Sequence, residues 1–450
     1  MTTQPHGEQE PSPARRLGST LAAIKTETAR SYDALGRRAG VSASALQRYC
    51  TGIGTPTEFD PLHRFARACG ADGDTRRELY RLWVLADASR SRARTPTRAE
   101  IPGPNGWVPA QLPPGVTPFV GRAAALAELD TLSAGSPVVA VTGMPGSGKT
   151  ALVVRWAHRA RDRFRDGQLY ADLRGFAPDP PVPVCEVLAG FLAALGVAGA
   201  DLPAGVDQLA ARYRTELSGR RVLVVLDNVA AADDVRPLLP GPSCHTVVTS
   251  RDRLAGLVVR DGARRLDLDV PPVNEAVDLL RCLLGDQVDA DPVAAAAMAT
   301  RCGRSPLVLR LAAELATARP GIRLREILDG LIDPLRLLDA LSAGGDPRTG
   351  LGAVLSWSYR QLAAGEALTF RALGLHPGPE VGFRTAAALT GGDPPAVRSV
   401  LARLAGASLL RATGPGRYAL PEPLRTYARH LTHVAETRAG VVAPGTTSCR

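Results

Sequence analysis

Eight consecutive residues in the first third of the chain have the types and spacing that hold phosphate groups. They fit the pattern G-x-x-x-x-G-K-[ST]. These residues are Gly143, Met144, Pro145, Gly146, Ser147, Gly148, Lys149 and Thr150, followed by Ala151. The apolar run 137–142 before them predicts a buried strand, and residues 151–157 after them predict the start of a helix. Backbone N–H groups and the positive end of the helix dipole would then converge on one anion.

Several groups in this loop have a predicted task. Gly146 and Gly148 allow the chain to curl without a Cβ clash. Lys149 is expected to reach the β- and γ-phosphates, and Thr150 Oγ1 to hold Mg²⁺. The chain has one other lysine, Lys25, and uses arginine elsewhere. Because a compact ammonium fits such a loop and a guanidinium does not, we predict a phosphate site, with an ordinary glycine-rich turn as the alternative.

Length and composition indicate the class of protein. A chain of 450 residues is expected to form two to four domains, and 45% hydrophobic residues are sufficient for packed cores. The sequence contains no apolar run of membrane-spanning length and no apolar segment typical of a signal peptide. Its seven cysteines are scattered without a C-x-x-C pair, which argues against a zinc site or a disulfide framework. We therefore expect a cytoplasmic protein with no membrane partner.

Positive charge is concentrated near the N-terminus. The whole chain has a formal net charge of +10, and residues 13–98 alone carry 16 basic against eight acidic side chains. A basic first domain on a nearly neutral remainder suggests a polyanionic partner such as DNA. A solvated basic surface without a partner is the alternative.

The basic region has the spacing of a helix-turn-helix. Residues 31–49 predict one helix, a tight turn at Gly40 and a second helix capped by Ser42. This pattern resembles the helix-turn-helix of Cro/C1-type repressors, and helices on both sides would complete a five-helix bundle. The resemblance implies contacts with DNA bases or phosphates by Arg37, Arg38, Ala43, Ser44, Gln47 and Arg48. A bundle used only for protein contacts is the alternative.

The rest of the chain alternates between predicted strands and helices before becoming mainly helical. Core strands at 137–142, 168–173, 221–228 and 245–251 indicate a doubly wound parallel sheet with its ligand at the strand C-termini. We predict a multi-domain fold: an N-terminal all-α helix-turn-helix bundle, a central α/β P-loop NTPase parallel sheet, an α-helical domain and a C-terminal winged helix with a hairpin around 413–416. The predicted boundaries are a disordered tail 1–12, the bundle 13–88, a linker 89–115, the sheet domain 116–271, the helical domain 272–345, the winged helix 346–435 and a tail 436–450.

Five motifs occur in the order found in NB-ARC modules. They are residues 119–122, 143–150, 226–228, 249–251 and 303–307. The chain from 116 to about 435 resembles an NB-ARC module of the STAND class, and most closely the actinobacterial regulators that join this module to a DNA-binding domain. The resemblance implies an ATP/ADP site with Mg²⁺. It implies that the adenine is held by Val120, Gly121 and Arg122 and packed by Pro306, that Asp227 supports Mg²⁺ through water, and that Arg251 contacts the γ-phosphate.

Two positions depart from the pattern of these relatives. Many hydrolysing relatives have a second acid after the Walker B aspartate, and here that residue is Asn228, which cannot accept a proton from water. Relatives also carry a Met-His-Asp-type motif, whose histidine contacts ADP; Pro421 and Glu422 stand at its last two positions. We therefore expect slow hydrolysis, and an ADP contact that is weakened or made differently, with Arg425 as a candidate.

Three functions are consistent with these features. The favoured prediction is a nucleotide-switched transcriptional regulator that binds DNA through its helix-turn-helix and uses slow ATP hydrolysis as a switch. The alternative is a nucleotide-gated protein-interaction scaffold without DNA binding. A metabolic P-loop enzyme such as a kinase is disfavoured, because no acceptor-site base or lid motif is present. The resemblance also implies nucleotide-dependent homo-oligomers, and either a separate sensor protein or a shortened form of the family.

Overall fold

The computed structural model describes residues 13–56, 59–93, 108–197, 202–319, 321–331 and 350–438, together with residue 338. The chain divides into two compact units, Met1–Asn105 and Gly106–Arg450. The predicted tail at 1–12 lies outside the described residues, as does most of the tail predicted at 436–450. Within the described ranges, no helix is long and apolar enough to span a membrane.

The first unit contains the five predicted helices. They are α1 (Pro13–Thr26), α2 (Tyr32–Ala39), α3 (Ala43–Cys50), α4 (Asp60–Cys69) and α5 (Gly73–Ala93). Gly40 follows α2 with a φ of 75°, a left-handed conformation that glycine adopts without strain. The Ser42 hydroxyl caps α3 by accepting a hydrogen bond from the Ala45 N–H at 3.2 Å, as predicted. Buried apolar side chains such as Leu35 and Leu46 join the helices in one core.

The second unit is built around a five-stranded parallel sheet. Its strands are β1 (Val138–Thr142), β2 (Gln168–Asp172), β3 (Leu223–Val229), β4 (His245–Ser250) and β5 (Arg264–Asp267), in the order β2-β3-β4-β1-β5. β1 and β4 are buried along their whole length, as expected of strands covered on both faces. Parallel pairing brings the C-terminal ends of β1, β3 and β4 to one edge of the sheet. The predicted parallel sheet is confirmed.

Strand β5 was not predicted from the sequence. It lies at the edge of the sheet beside β1, and three of its four residues are charged. Only Leu266 among them is buried. Because an edge strand of this length needs little apolar surface, it carries no periodic pattern by which sequence analysis could recognise it.

Helices cover both faces of the sheet. They are α6 (Ala123–Gly135), α7 (Lys149–Ala160), α8 (Val184–Ala194), α9 (Val206–Leu217), α10 (Ala232–Val235) and α11 (Ala255–Asp261), with 3-10 turns at Arg161–Arg163 and Arg236–Leu238. One core, which includes Phe191 and Tyr213, joins α8 and α9 to the sheet. A second core, which includes Leu152 and Trp156, joins α6 and α7 to it. This two-sided burial holds the loop after β1 on a rigid support.

The described residues of the region after the sheet form helices, as predicted. It contains α12 (Val273–Leu284), α13 (Asp286–Ala290), α14 (Pro292–Arg301), α15 (Pro306–Thr317) and α16 (Leu324–Gly330). The C-terminal segment, which we define as residues 350–438, contains α17 (Leu351–Tyr359), α18 (Ala364–Leu375), β6 (Glu380–Gly382), α19 (Phe383–Thr390), α20 (Pro394–Gly406), β7 (Arg411–Gly414), β8 (Arg417–Ala419) and α21 (Glu422–Arg438).

The hairpin predicted in the C-terminal segment belongs to a small antiparallel sheet. β8 pairs with β7 on one side and with β6 on the other. β6 was not predicted, because three residues reading Glu-Val-Gly carry no recognisable pattern. The assignment of this segment as a winged helix stays a prediction.

The linker predicted at 89–115 is shorter in the structure. Helix α5 continues to Ala93, and residues 109–111 pair with the outer edge of β2. The Gln168 N–H donates to Pro109 O at 2.7 Å, and the Gln111 N–H donates to Gln168 O at 3.0 Å. An edge strand offers unpaired backbone groups to any extended segment, so this part of the proline-rich stretch is held against the sheet.

His245, at the start of β4, is a buried titratable group inside the sheet core. Its ring lies 5.8 Å from that of Trp156 and 5.9 Å from that of Phe164, and its Nε2 has no hydrogen-bond partner among the described residues. Burial, with a contribution from the charge of Arg163, lowers the pKa of His245 to about 4. The folded protein therefore holds this imidazole neutral where an exposed histidine would be protonated.

We expect acid to destabilise the fold through His245. Between pH 6.5 and pH 4 the unfolded chain binds a proton at this residue that the folded chain does not, so the free energy of unfolding falls as the pH falls, by about 3 kcal/mol over this window. Urea unfolding at pH 7.5 and pH 5 measures the effect. His245→Phe keeps the ring stacking and should show a smaller loss. An equal loss in both proteins would contradict this prediction.

Candidate functional site

The predicted phosphate loop connects β1 to α7 in the expected setting of strand, turn and helix. Gly146 and Gly148 have φ values of 77° and 92°, so both positions use the left-handed region that the motif reserves for glycine. A Cβ on Gly146 would lie 2.9 Å from the Ser305 hydroxyl oxygen. The backbone conformation therefore requires glycine at both positions. At Gly146 the nearby Ser305 hydroxyl also leaves no space for a Cβ.

Lys149 is buried beneath this loop. Its ammonium donates hydrogen bonds to the carbonyl oxygens of Gly143 and Met144, both at 2.9 Å. Burial and the charge of Arg251 lower the pKa of Lys149 to about 7, although Asp227 opposes the shift. A bound anion would supply the missing counter-charge, and the pKa would then rise.

Asp227, at the C-terminal end of β3, accepts hydrogen bonds from three hydroxyl groups. Thr150 Oγ1 donates to it at 2.8 Å, Tyr170 Oη donates at 3.2 Å, and Thr249 Oγ1 also donates. Burial raises the pKa of Asp227, whereas the hydrogen bonds from Thr249 and Thr150 lower it. The structure thus brings together Thr150 and Asp227, the two residues predicted to hold Mg²⁺.

The oxygen atoms of this pair are chemically suited to Mg²⁺. The ion binds proteins through one or two oxygen ligands and keeps the rest of its shell for water and phosphate. Among the described residues no group of three or more His, Cys, Asp or Glu side chains could hold a metal, so a complete protein cage is not formed there. Thr150 and Asp227 therefore fit an ion that arrives with a phosphate ligand.

Two residues around Asp227 had no role in the sequence analysis. The sequence predicts Tyr170 only as part of a strand, and Thr249 only as part of the motif that ends in Arg251. Asp172 pairs with Asp227 in the β2–β3 register, which places Tyr170 two residues earlier on the same side of β2. Such a placement could be anticipated only by assuming the strand order and register in advance.

Arg251 connects the sheet to helix α17. Its guanidinium donates to Val354 O and to Ser358 Oγ, each at 2.8 Å, and makes cation–π contacts with the rings of Phe176 and Trp357. Burial lowers the pKa of Arg251 to about 10. The residue predicted to contact a γ-phosphate is thus bound to the C-terminal segment.

These groups line one cleft, which we call the main cleft. It encloses about 500 Å³ and is lined by Lys149, Thr150, Asp227, Arg251 and Pro306, among others. A side cavity of about 60 Å³ shares Gly148, Ala151 and Pro306 with the main cleft. Val120 and Arg122 line this side cavity, so the predicted adenine-holding residues lie beside the predicted phosphate-binding ones.

Arg122 ties the entry motif to the phosphate loop. Its backbone N–H donates to Glu275 Oε2 at 2.9 Å, and its guanidinium donates to Ser147 O at 2.7 Å. Gly121 has a φ of 65°, and a Cβ there would lie 2.3 Å from Glu275 Oε2. Glycine suits position 121 because of this left-handed backbone, and a Cβ there would also displace the Glu275 carboxylate from the Arg122 N–H.

The loop before α15 contacts the phosphate loop directly. Ser305 Oγ donates to Gly146 O at 3.0 Å, and the Leu307 N–H donates to the same oxygen at 3.4 Å. Pro306, between them, lines both the main cleft and the side cavity. The helical region after the sheet therefore supplies a wall of the cleft.

Asn228 has a strained backbone position at the edge of the main cleft. Its φ is 57°, and the β3–β4 register shifts between Leu226 and Val229. Its N–H donates to Thr249 Oγ1 at 2.9 Å. Asparagine and aspartate tolerate the left-handed region better than other residues with side chains, so aspartate would fit here too.

The residues at the Met-His-Asp-type position lie away from the main cleft. Arg425, the candidate replacement for the missing histidine, donates to His376 O at 2.6 Å and to Gly378 O at 3.0 Å. Pro421 and Arg425 line another cavity instead. The structure therefore commits Arg425 to the carbonyl groups of its own segment.

In the first unit, the predicted DNA-contacting residues lie mainly at the surface. Ser44, Gln47 and Arg48 are exposed on one face of α3, and Arg37 and Arg38 are exposed at the end of α2. Arg37 also pairs with Asp33 one turn earlier. Ala43 is half-buried, so it offers less surface to a partner than the other five.

Comparison with known proteins identifies a domain near the N-terminus and relatives over most of the chain. Residues 16–79 match a family model described as a helix-turn-helix domain. The chain is 40% identical over 359 residues to the regulatory protein AfsR of Streptomyces griseus, covering 78% of this chain. It is 41% identical over 360 residues to AfsR of Streptomyces coelicolor, covering 77% of this chain. The chain spans only about a third of these relatives' own length, 36% and 35%.

Solved structures with similar folds are more distant. A Walker-type ATPase of Pyrococcus abyssi aligns with 70% of this chain at 11% identity and a TM-score of 0.49. The ORC2 protein of Aeropyrum pernix aligns with 73% of this chain at 15% identity and a TM-score of 0.43. The sequence comparisons show that the chain contains a helix-turn-helix domain and is similar over most of its length to part of the AfsR regulators.

Proposed function

We propose that this protein is a transcriptional regulator switched by ATP and ADP. The observation that carries the proposal is the buried ammonium of Lys149 beneath the phosphate loop, in the same cleft as the Thr150–Asp227 pair. A buried cation with a lowered pKa and a magnesium-type oxygen pair are complementary to a Mg²⁺-bound polyphosphate. The similarity to AfsR and the helix-turn-helix match support the regulatory part of the proposal.

In this proposal the nucleotide extends along the main cleft into the side cavity. The phosphates bind the loop 143–151, and Thr150 with Asp227 holds Mg²⁺. The adenine lies by the side cavity, against Pro306 and the backbone of 120–122. We assign residues 116–435 to the NB-ARC module of the STAND class on this arrangement of motifs.

Arg251 provides the means of switching. In the described structure it holds α17 through Val354 and Ser358. A γ-phosphate in the main cleft would compete for the same guanidinium, because a charged oxygen is a stronger partner than a carbonyl or hydroxyl group. ATP would thereby weaken the attachment of the C-terminal segment to the sheet, and ADP would leave it in place.

Lys149→Ala should abolish nucleotide binding while leaving the fold intact. Purified protein is denatured and the released nucleotide identified, and affinity for ADP and ATP is then measured by titration with Mg²⁺. We expect retained ADP in the unaltered chain and at least a hundredfold weaker binding in the variant. Trp357 lies against Arg251, so its emission should differ between ATP and ADP only in the unaltered protein.

Arg155→Ala is the matched control. Arg155 is exposed on the same helix, α7. The variant should bind nucleotide as the unaltered chain does. Folded protein that shows no affinity for adenine nucleotides would refute the proposal. Equal effects of the two substitutions would also refute it, because a general weakening of α7 would then be the cause.

Asn228→Asp should accelerate ATP hydrolysis. Aspartate can adopt the left-handed backbone of this position and adds a carboxylate that can accept a proton from water, so we expect a rise of about tenfold or more. Phosphate release is measured in single turnovers with excess protein, so that ADP release does not limit the rate. Asn228→Gly also suits the backbone but has no base, and should not accelerate the reaction. Rapid ATP hydrolysis by the unaltered protein would contradict the expected slow turnover.

We propose that the first unit binds duplex DNA through α3. The exposed side chains of Ser44, Gln47 and Arg48 lie on one face at helical spacing, and Arg37 and Arg38 add positive charge at the end of α2. Glutamine can pair with adenine and arginine with guanine in the major groove. Arg37 and Arg38 would neutralise phosphates.

Binding to a duplex selected from a random library tests this interface. We expect Gln47→Ala and Arg48→Ala each to weaken binding of the selected sequence by about 5- to 150-fold, and affinity to fall steeply with salt. Arg81→Ala is the control, because Arg81 is exposed on α5, and this variant should bind the selected duplex as the unaltered chain does. If no sequence is enriched at low salt, the alternative of a nucleotide-gated scaffold for protein partners is favoured.

A further inference from the structure

A second large cavity lies beside the phosphate loop and is not used by the proposed function. It encloses about 530 Å³. We call it the arginine cavity and define it by Met144, Arg304, Arg411, Glu422, Arg425 and Arg429. The residues lining it include none of those lining the main cleft, so a nucleotide in the main cleft would leave it open.

The arginine cavity carries an excess of positive charge. Four arginines line it, whereas its acidic groups are Asp269 and Glu422. Asp269 lies 3.7 Å from Arg411, and Glu422 lies 3.9 Å from Arg425. Two positive charges therefore remain uncompensated by the carboxylates of the cavity, and a concave surface concentrates their field on an anion.

The hydrogen bonds of these arginines leave both charge and donors for a ligand. Arg425 donates to two carbonyl oxygens, Arg429 donates to Gly374 O at 2.8 Å, and Arg304 donates to Pro271 O at 3.4 Å. Carbonyl groups orient a guanidinium without neutralising it. Each guanidinium has five N–H donors. Within the described structure, these bonds therefore leave at least three N–H donors unused on each of the three arginines.

Arg425 is the most constrained of the four. It is buried, and its two carbonyl contacts hold the guanidinium in place. Burial lowers its pKa, as does the charge of Arg429, and Glu422 opposes the shift. The group is thus a pre-oriented cation close to a second cation, an arrangement that a polyanion would stabilise.

Three parts of the second unit form the walls. Met144 belongs to the phosphate loop, Arg304 to the loop before α15, and the other four to the C-terminal segment. Gly303 allows the loop before α15 to approach the C-terminal segment closely, since a Cβ on it would lie 2.5 Å from Pro423 Cδ. A ligand here would touch all three parts at once, so it would favour the arrangement in which they meet.

We infer that the arginine cavity is an effector site for a small phosphorylated compound with at least two negative charges. Planar guanidinium groups bind phosphate oxygens in pairs, which matches this ligand class. Binding holds the C-terminal segment against the phosphate loop and the loop before α15. The anion therefore opposes any separation of these parts. The binding part of this inference does not depend on the proposed nucleotide switch.

Inorganic pyrophosphate is the probe. The full chain is saturated with ADP, without added Mg²⁺ so that chelation does not contribute, and titrated by calorimetry. We expect one pyrophosphate per chain, and at least tenfold weaker binding in Arg411→Gln and in Arg429→Gln. Arg417→Gln is the matched control, because Arg417 is exposed on the same hairpin, pairs with Glu380 and is not among the residues lining the cavity. Equal affinities of all three variants would overturn the inference.

Hydrogen exchange locates the bound probe. We expect pyrophosphate to protect the backbone amides of residues 300–304, of Gly378 and of the non-proline residues in 419–425, because these stretches contribute to the cavity walls. Protection confined to 143–150 would mean that the probe occupies the phosphate loop, and would overturn the inference. The same titration on Lys149→Ala should retain pyrophosphate binding. A chain that binds pyrophosphate in this way but not ADP would refute the nucleotide proposal and support this one.

Discussion

The burial of a single ammonium group is the constraint on which the second unit depends. Lys149 loses hydration beneath the phosphate loop, and within the described structure its ammonium donates to two backbone carbonyl groups. Burial of the charged form is costly, and the pKa of Lys149 accordingly falls to about 7. A bound phosphate would make the charged form favourable by supplying a counter-charge. The loop can bury this group because β1 is packed on both faces of the sheet, α7 is packed on one of them, and the glycines of the loop adopt left-handed conformations.

Other polar contacts around the loop connect it to distant parts of the chain. Ser305 and Leu307 reach Gly146 O from the helical region, and Arg251 reaches α17 from the end of β4. Each joins parts that are far apart in sequence but meet at the C-terminal edge of the sheet. A change in the charge bound at the phosphate loop would therefore act on the C-terminal segment without a long relay of packed side chains.

The two positions that differ from the NB-ARC pattern, which the sequence resembles, have separate physical consequences. Asn228 keeps the backbone geometry that an aspartate would have but cannot accept a proton, so the site would bind a triphosphate more readily than hydrolyse it. Pro421 removes a donor, and Arg425 turns to carbonyl groups of its own segment. Pro421 and Arg425 both line the arginine cavity and not the main cleft.

The sequence by itself determined the features that are contiguous along the chain. The phosphate loop, the capped helix α3 and the buried strands follow from local spacing, because each is defined by neighbours within one element. The alternation of strands and helices along the chain then indicated a parallel sheet, although not its strand order. Tertiary structure decided the rest. Tyr170 and Thr249 meet Asp227 only through strand order, Arg251 meets Ser358 over 107 residues, and β5 and β6 pair without an apolar pattern. Such contacts depend on which elements become neighbours, and no local period in the sequence records that.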